Sequence, residues 1–376
     1  MKKIKIIANA SVFLFVIFSL SLIFLFSPEK KISISERRPL VTAESLKEND
    51  THIFDEIEGY FLDQFPFRDS FRTLKAIAFT DILKKNDNND IYIQDGTVIK
   101  IEKQLDEVQV QYTLNLMNKV KDKYFPDGKV FYSIIPDKHY YASKQNGYPA
   151  MDYEKLFALA KENLGDFEYI DITDKLTLSD YYKTDSHWSQ DKILDIADHI
   201  VSSINHESTI ISDGDEWKTN TLSPFYGVYY GQSALSLSPE DIKYLSNTMT
   251  DDMVMTVIDD MGKKHVYPVY ITEMFKNNDP YDVFMAGAQH TVIIENPNAS
   301  TDKELVIFRD SFGSSISPLI ACAYKKVTLI DLRYIVPDYV KQISGFSEDS
   351  DVLFLYSTGI INGGMVLKDF FSAAKG

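Results

Sequence analysis

The stretch ELVIFRDSFGSSISPLIACAY, residues 304–324, passes from an apolar run to a helix-like run through one short polar step. Leu305 to Phe308 read as a buried strand. Asp310 and Ser311 follow at once, and Gly313 opens a run that tolerates Pro318 in its first turns. A serine at such a junction stands at the carboxyl edge of a sheet. The first amides of the helix have no intrahelical partner and carry partial positive charge. They are therefore expected to be free to stabilise an oxyanion formed by attack of Ser311. The segment is not the G-x-S-x-G elbow, because Arg309 stands where the first glycine belongs. The plain alternative is Ser311 as a helix N-cap.

Working outward, the apolar runs at 129–136, 167–172, 303–311, 326–334 and 351–357 each stop where polar residues begin. Helical patterns lie between them, among them QDKILDIADHIVSSI, where Ile193, Ile196, Ala197, Ile200, Val201 and Ile204 recur at helical spacing with Ser189 as the expected N-cap. Continuous apolar strands alternating with amphipathic helices predict an α/β fold, a doubly wound parallel sheet covered on both faces. Such sheets hold ligands beyond the carboxyl ends of their strands. Residues 208–300 have a different texture and read as a β-rich, aromatic insertion forming a lobe on the same domain. Nearer the N-terminus, helical spacing is interrupted at Pro66, and NDNNDIYIQDGTVI reads as a turn and a hairpin.

The chain begins with Lys2, Lys3 and Lys5, followed by 21 uncharged residues, Ile6 to Phe26. At 1.5 Å per residue that run spans about 30 Å of hydrocarbon. The lysines predict a cytoplasmic tip (1–5), a single transmembrane anchor (6–26) and an extracytoplasmic main domain in the cell membrane. A cleaved signal peptide is the rival reading. The length of the apolar run and the lack of a small-x-small site after it argue against that reading. Residues 27–50 read as a juxtamembrane linker and 51–376 as the folded domain.

The 376 residues carry a formal charge of −16, and −19 without the three leading lysines. No basic face is visible, which excludes nucleic acid as a partner. A neutral or sugar-like substrate is easier to accommodate. The one cysteine, Cys322, permits no intrachain disulfide and reads as core.

A serine hydroxyl at neutral pH needs a base, and the base needs an orienter. YYKTDSHWSQDK, residues 181–192, offers both: Asp185 and His187 project to the same side of an extended segment. Alone, this pair is equally a solvated loop. No second His or Cys stands at ligand spacing around it, and His139 is too isolated to complete a metal site. Taken together, the two segments suggest Ser-His-Asp acyl chemistry.

Several segments also resemble the DHHW family. YYKTDSHW resembles its Asp-His-His-Trp signature. YFLDQFPFR (60–68), SIIPDKHYY (133–141), FYG (225–227), RDSFGSS (309–315) and IDLRY (330–334) follow in the family's order. The family is similar to the alginate O-acetylation proteins (AlgJ- and AlgX-like), which carry an SGNH-hydrolase-like domain, here in permuted order. That resemblance implies a membrane-tethered O-acetyltransferase or acetyl esterase acting on an extracellular polysaccharide. It implies Ser311 as nucleophile, His187 as general base and Asp185 as orienter. No cofactor is implied. The acetyl donor would come from a membrane-bound O-acyltransferase partner. Ser186 replaces the first histidine of the signature, which also leaves room for a non-catalytic polysaccharide-binding or scaffold protein.

SGNH enzymes add a Gly and an Asn as oxyanion donors. The candidates here, beside Gly313, are Gly287 and Gln289, or these are turn residues. Arg309 and Arg333 are candidates to position a sugar, or are salt-bridge residues. Trp188, Tyr226, Tyr229 and Tyr230 are candidates for a sugar-stacking wall, or are core aromatics.

Overall fold

The computed structural model describes residues 2–47, 53–205, 216–235, 237–259 and 261–364. The chain divides into two compact units, Met1–Ile91 with Val228–Ser238, and Tyr92–Gly227 with Pro239–Gly376. The domain start expected at residue 51 lies outside the described residues. The expected start of the insertion near 208 and the end of the linker at 50 lie outside the described residues.

In the first unit, α1 (Lys2–Phe26) contains a segment, Ile4–Phe26, long and apolar enough to cross a membrane. The expected linker is partly built. Strands β1 (Ile32–Ser33) and β2 (Arg38–Pro39) pair antiparallel, and Arg38 donates to both carboxylate oxygens of Asp63 at 2.9 and 2.6 Å. Asp63 belongs to α2 (Ile53–Gln64), which is separated from α3 (Arg68–Ile77) at Pro66. A proline ring removes an N–H donor and clashes with the preceding turn, so one continuous helix is excluded.

The second unit holds an eight-stranded sheet. The chain division falls at the first residue of β3 (Ile91–Gln94), which forms a small ladder with β4 (Thr97–Lys100). Helix α4 (Glu107–Tyr124) leads to β5 (Val130–Ile135). Then come α5 (Lys138–Asn146), α6 (Tyr153–Asn163), β6 (Glu168–Tyr169) and α7 (Leu194–Ile204). A two-stranded ladder, β7 (Lys218–Phe225) with β8 (Glu240–Ser246), stands apart from the main sheet. Strands β9 (Val254–Ile258), β10 (Lys264–Pro268) and β11 (Thr291–Glu295) follow. The chain continues through β12 (Glu304–Arg309), the helix Phe312–Ile320, β13 (Lys326–Ile330) and β14 (Asp351–Ser357).

The strand order is β10-β9-β11-β13-β12-β14-β5-β6. The run β13-β12-β14-β5-β6 is parallel, whereas β11 pairs antiparallel with both β13 and β9. The 208–300 region, expected as a β-rich lobe on the same domain, contributes strands to the main sheet. Its strands β9 to β11 extend the main sheet by ladder hydrogen bonds. Helix α7 begins at Leu194, after a single 3-10 turn at Gln190–Lys192. The Ser189 hydroxyl donates to Asp191 at 2.5 Å and caps no helix.

Both faces of the parallel strands β5, β12, β13 and β14 are buried, with the period of two that a pleat imposes. Leu305 and Ile307 of β12, with Leu353 and Leu355 of β14, pack with Ile196 and Ile200 of α7 and with Ile316 and Leu319. Val306, Phe308, Val352 and Phe354 turn the other way, onto Leu114 and Met117 of α4 and Leu156 of α6. The carboxyl ends of β5, β12, β13 and β14 consequently lie along one edge. There Asp137, Ser311, Asp331 and Thr358 follow their strands by one to two residues.

Candidate active site

Ser311 adopts αR geometry at the start of the Phe312–Ile320 helix, but its side chain makes no capping bond. Its Oγ lies 2.7 Å from His187 Nε2, and His187 Nδ1 lies 2.7 Å from Asp185 Oδ1. Residues 124 and 126 positions apart in the chain thus form one unbroken line of contacts. Asp185 is fully buried and His187 nearly so.

Local pairing presents the Asp-x-His element. Tyr181 and Trp188 form an antiparallel bridge, and the Tyr182 amide donates to the His187 carbonyl at 3.0 Å. The residues between them make a tight hairpin with both functional side chains near its tip. Asp185 Oδ1 also accepts the His187 amide at 3.1 Å, an Asx-type closure that sets the turn. Trp188 secures the hairpin from below. Its indole donates to the Phe312 carbonyl at 3.2 Å and to Ser315 Oγ at 2.9 Å, inside the core. The expected sugar-stacking role of Trp188 is therefore replaced by a structural one.

Three residues hold the Asp185 backbone, and none was singled out from the sequence. Lys138, buried at the end of β5, donates to the carbonyls of Val98, Lys183 and Asp185 at 2.6, 3.2 and 2.7 Å. Burial pulls its ammonium down to about 7, opposed by the carboxylates of Asp185 and Glu240. Glu240 of β8 accepts the Lys183 amide at 2.7 Å, the Thr184 amide at 2.6 Å and the Thr184 hydroxyl at 2.5 Å. Gly227 packs so closely that a Cβ there would lie 2.3 Å from the Thr184 carbonyl. The stretches SIIPDKHYY and FYG, quoted for the family resemblance, contain Lys138 and Gly227, and nothing in the sequence marked Glu240.

The imidazole is also fixed from its face. The Tyr281 ring stacks on it at 4.0 Å between centroids and 11° between planes. The Tyr281 hydroxyl donates to Ser315 Oγ at 2.9 Å, the atom that also receives the Trp188 indole. Burial holds the Tyr281 phenol well above its ordinary range, so it stays a donor throughout the working pH range.

The expectation of free helix-start amides is not met. The Phe312 amide donates to Asp310 Oδ1 at 2.9 Å and the Gly313 amide to the Asp310 carbonyl at 3.0 Å. Asp310 caps its own helix. Its other oxygen accepts the Ser357 amide at 2.8 Å and so ties the ends of β12 and β14 together. Gly313 has a packing role instead, because a Cβ there would meet the Arg309 Cβ at 2.7 Å.

Gln289 turns onto the Ala286 carbonyl at 2.9 Å, and Gly287 is a turn glycine at φ 78°. Neither joins the triad. Arg333 is committed to Asp331 through bonds of 2.9 and 2.6 Å. Burial alone would lower its pKa, but the Asp331 pairing more than reverses this and holds it above its ordinary value. Arg309 is buried. Its Nη1 reaches the Asp310 carbonyl and Ser314 Oγ, while Nε and Nη2 meet no acceptor among the described residues. Burial depresses its pKa, with Asp331 facing it. Tyr226 is exposed, and Tyr229 and Tyr230 belong to the first unit. Among the described residues no group of three or more His, Cys, Asp or Glu stands ready for a metal ion.

No family model and no curated protein matches the sequence. Solved structures do. PatB1 of Bacillus cereus is similar at 18% identity and TM-score 0.58, over 74% of this chain and 99% of that one. The same protein carrying a sulfonyl adduct gives 20% and 0.59, over 74% and 98%. A DHHW family protein from Eubacterium siraeum gives 21% and 0.57, over 73% and 91%. The chain therefore has the fold of PatB1 and of a member of the DHHW family, the family its motifs resemble.

Proposed function

We propose that this chain is an O-acetyltransferase, tethered to the membrane by α1, that acetylates hydroxyls of a cell-envelope polysaccharide. The observation that carries the reading is the contact line Asp185–His187–Ser311, with 2.7 Å at each joint. That spacing is within proton-transfer reach, and the orienting carboxylate fixes which ring nitrogen accepts.

In the first half-reaction His187 Nε2 takes the Ser311 proton as Oγ bonds to the acetyl carbonyl carbon. The bond to the donor's leaving group breaks, and His187 returns the proton to that group. In the second half a sugar hydroxyl gives its proton to His187, attacks acetyl-Ser311 and carries the acetyl group away. His187 then reprotonates Ser311. The buried Asp185 offsets the imidazolium formed in each half. The donor would be a membrane-bound O-acyltransferase that passes acetyl across the bilayer. The likeness in fold to PatB1, a protein solved with a sulfonyl adduct, supports looking for a reactive nucleophile.

The test is acylation of the full chain by an activated acetyl ester, read by peptide mass, with a sulfonyl fluoride as a second probe. Both adducts should fall on Ser311 and be absent in Ser311→Ala. In His187→Ala, acetylation should slow by about 10³-fold or more. Adding oligosaccharide should then speed release of acetyl and yield an O-acetylated sugar. Release to water alone, unchanged by acceptor, would make the chain an esterase. An unmodified Ser311 under both reagents would leave a binding protein.

A further inference from the structure

The apolar side of the α2–α3 pair lies bare. Phe61, Leu62, Phe67 and Leu74 are each more than half exposed, and Phe65 and Phe71 more than two-fifths. Phe71 and Leu74 stand on one stripe of α3, and Phe67 precedes the helix by one residue. Beside that stripe, Arg68 and Arg72 of α3 are satisfied within the unit, where they pair with Glu36 at 2.6 and 3.1 Å. Six large apolar side chains exposed together on two short helices are more than a water-facing surface normally carries, although Asp55, Glu58, Asp69 and Lys75 are exposed on the same helices.

The end of α1 says what covers it. The Phe24 ring stacks on Phe61 at 5.3 Å and meets Tyr60 edge-on at 5.9 Å. Just past α1, the Lys30 amide donates to the Gln64 side chain and Gln64 donates back to the Lys30 carbonyl, both at 2.9 Å. Ile23, Ser27, Lys30 and Lys31 line the same cavity of about 800 Å³ as Phe65 and Phe67. At 1.5 Å per residue the 23-residue apolar segment is about 35 Å long, slightly more than a hydrocarbon core. Phe24 thus comes out at the headgroup level, and α2 is fixed beside it. Aromatic rings and lysines are the side chains that favour that layer.

We infer that the exposed face of α2 and α3 is a second membrane contact, seated in the headgroup layer of the bilayer that α1 crosses. This rests on α1 being a membrane span, as the proposed function assumes. The unit would then be held at two points, by α1 through the bilayer and by the aromatic face lying on it.

The test uses the full chain in phospholipid vesicles, in a Cys322→Ser background. A nitroxide is attached in turn at Val16→Cys, Phe67→Cys and Leu74→Cys, and its collisions with oxygen and with a water-soluble nickel chelate are compared. Labels at 67 and 74 should favour oxygen and place themselves about 5–10 Å below the headgroup boundary, the depth at which interfacial helices seat. Nickel-accessible labels at 67 and 74 beside a lipid-buried label at 16 would overturn the second contact and leave the anchor standing. A nickel-accessible label at 16 would overturn the anchor and this inference together. Labels at 67 and 74 shielded from both reagents would also overturn it, because the face would then be covered by protein.

Discussion

At the residue scale the site depends on groups that hold the triad without belonging to it. Tyr281 illustrates this: its ring covers the imidazole and its hydroxyl reaches Ser315. Tyr281→Phe keeps the stack and should leave acetylation within about threefold of wild type, whereas Tyr281→Ala frees the imidazole to turn and should lower kcat by about tenfold or more. Single-turnover acetylation of Ser311 measures both.

Lys138 allows a pH test. Its folded-state value near 7 lies below the ordinary 10.5, so between those limits the unfolded chain binds a proton that the folded chain has released. Stability should therefore rise with pH across that window. Lys138→Met abolishes this contribution. Wild type should gain on the variant as pH rises from about 7 to 10, by at most about 1.4 kcal/mol per unit. Denaturant unfolding of the two proteins across that range measures the slope, and parallel profiles would contradict the assignment. Ser311, His187 and Asp185 could be picked out of the sequence because a hydroxyl, an imidazole and a carboxylate are the chemical types that work together at such sites. Lys138 and Glu240 could not, because they act on backbone atoms more than 40 positions away, and no residue type signals that.

At the scale of elements, the 181–188 hairpin is the part most open to perturbation. Its outer edge lies against Gly227, whose amide donates to Thr184 Oγ1 at 2.9 Å. A methyl group at 227 would collide with the Thr184 carbonyl and the Asp185 amide, which are backbone atoms that cannot swing away. Gly227→Ala should therefore shift Asp185 and His187 together and cut acetylation by about 10²-fold, with a lowered Tm. Normal rates in this variant would mean that the hairpin is more compliant than its packing implies. The parallel strands were legible from the sequence because each is a short apolar run with a polar stop. The antiparallel strands β9 to β11 were seen as β structure, but their place in the main sheet was not, since alternation records burial and not the neighbouring strand. The helix-start amides misled for a similar reason: Asp310 was visible beside Ser311, but its capping geometry was not.

For the whole molecule, the strand order matters more than any single contact. Strand β14, the last strand among the described residues, lies between β12 and β5. It pairs Leu305 to Arg309 on one side and Val130 to Ile135 on the other through consecutive residues. A chain stopped at Ser350 would leave two apolar strand edges open in the middle of the sheet, which is a worse fault than loss of an edge strand. It should not show a cooperative unfolding transition by circular dichroism, and it should aggregate. A truncated chain that melts cooperatively would show that the two halves fold independently.

The late position of β14 also sets a timetable. Asp185 and His187 leave the ribosome more than a hundred residues before Ser311, and the strand that closes the sheet beneath all three comes later still. A growing polypeptide that has not reached β14 therefore lacks the complete sheet edge on which Ser311 and His187 meet. The contact line from Asp185 through His187 to Ser311 is completed only after that strand emerges, however early the hairpin itself is made.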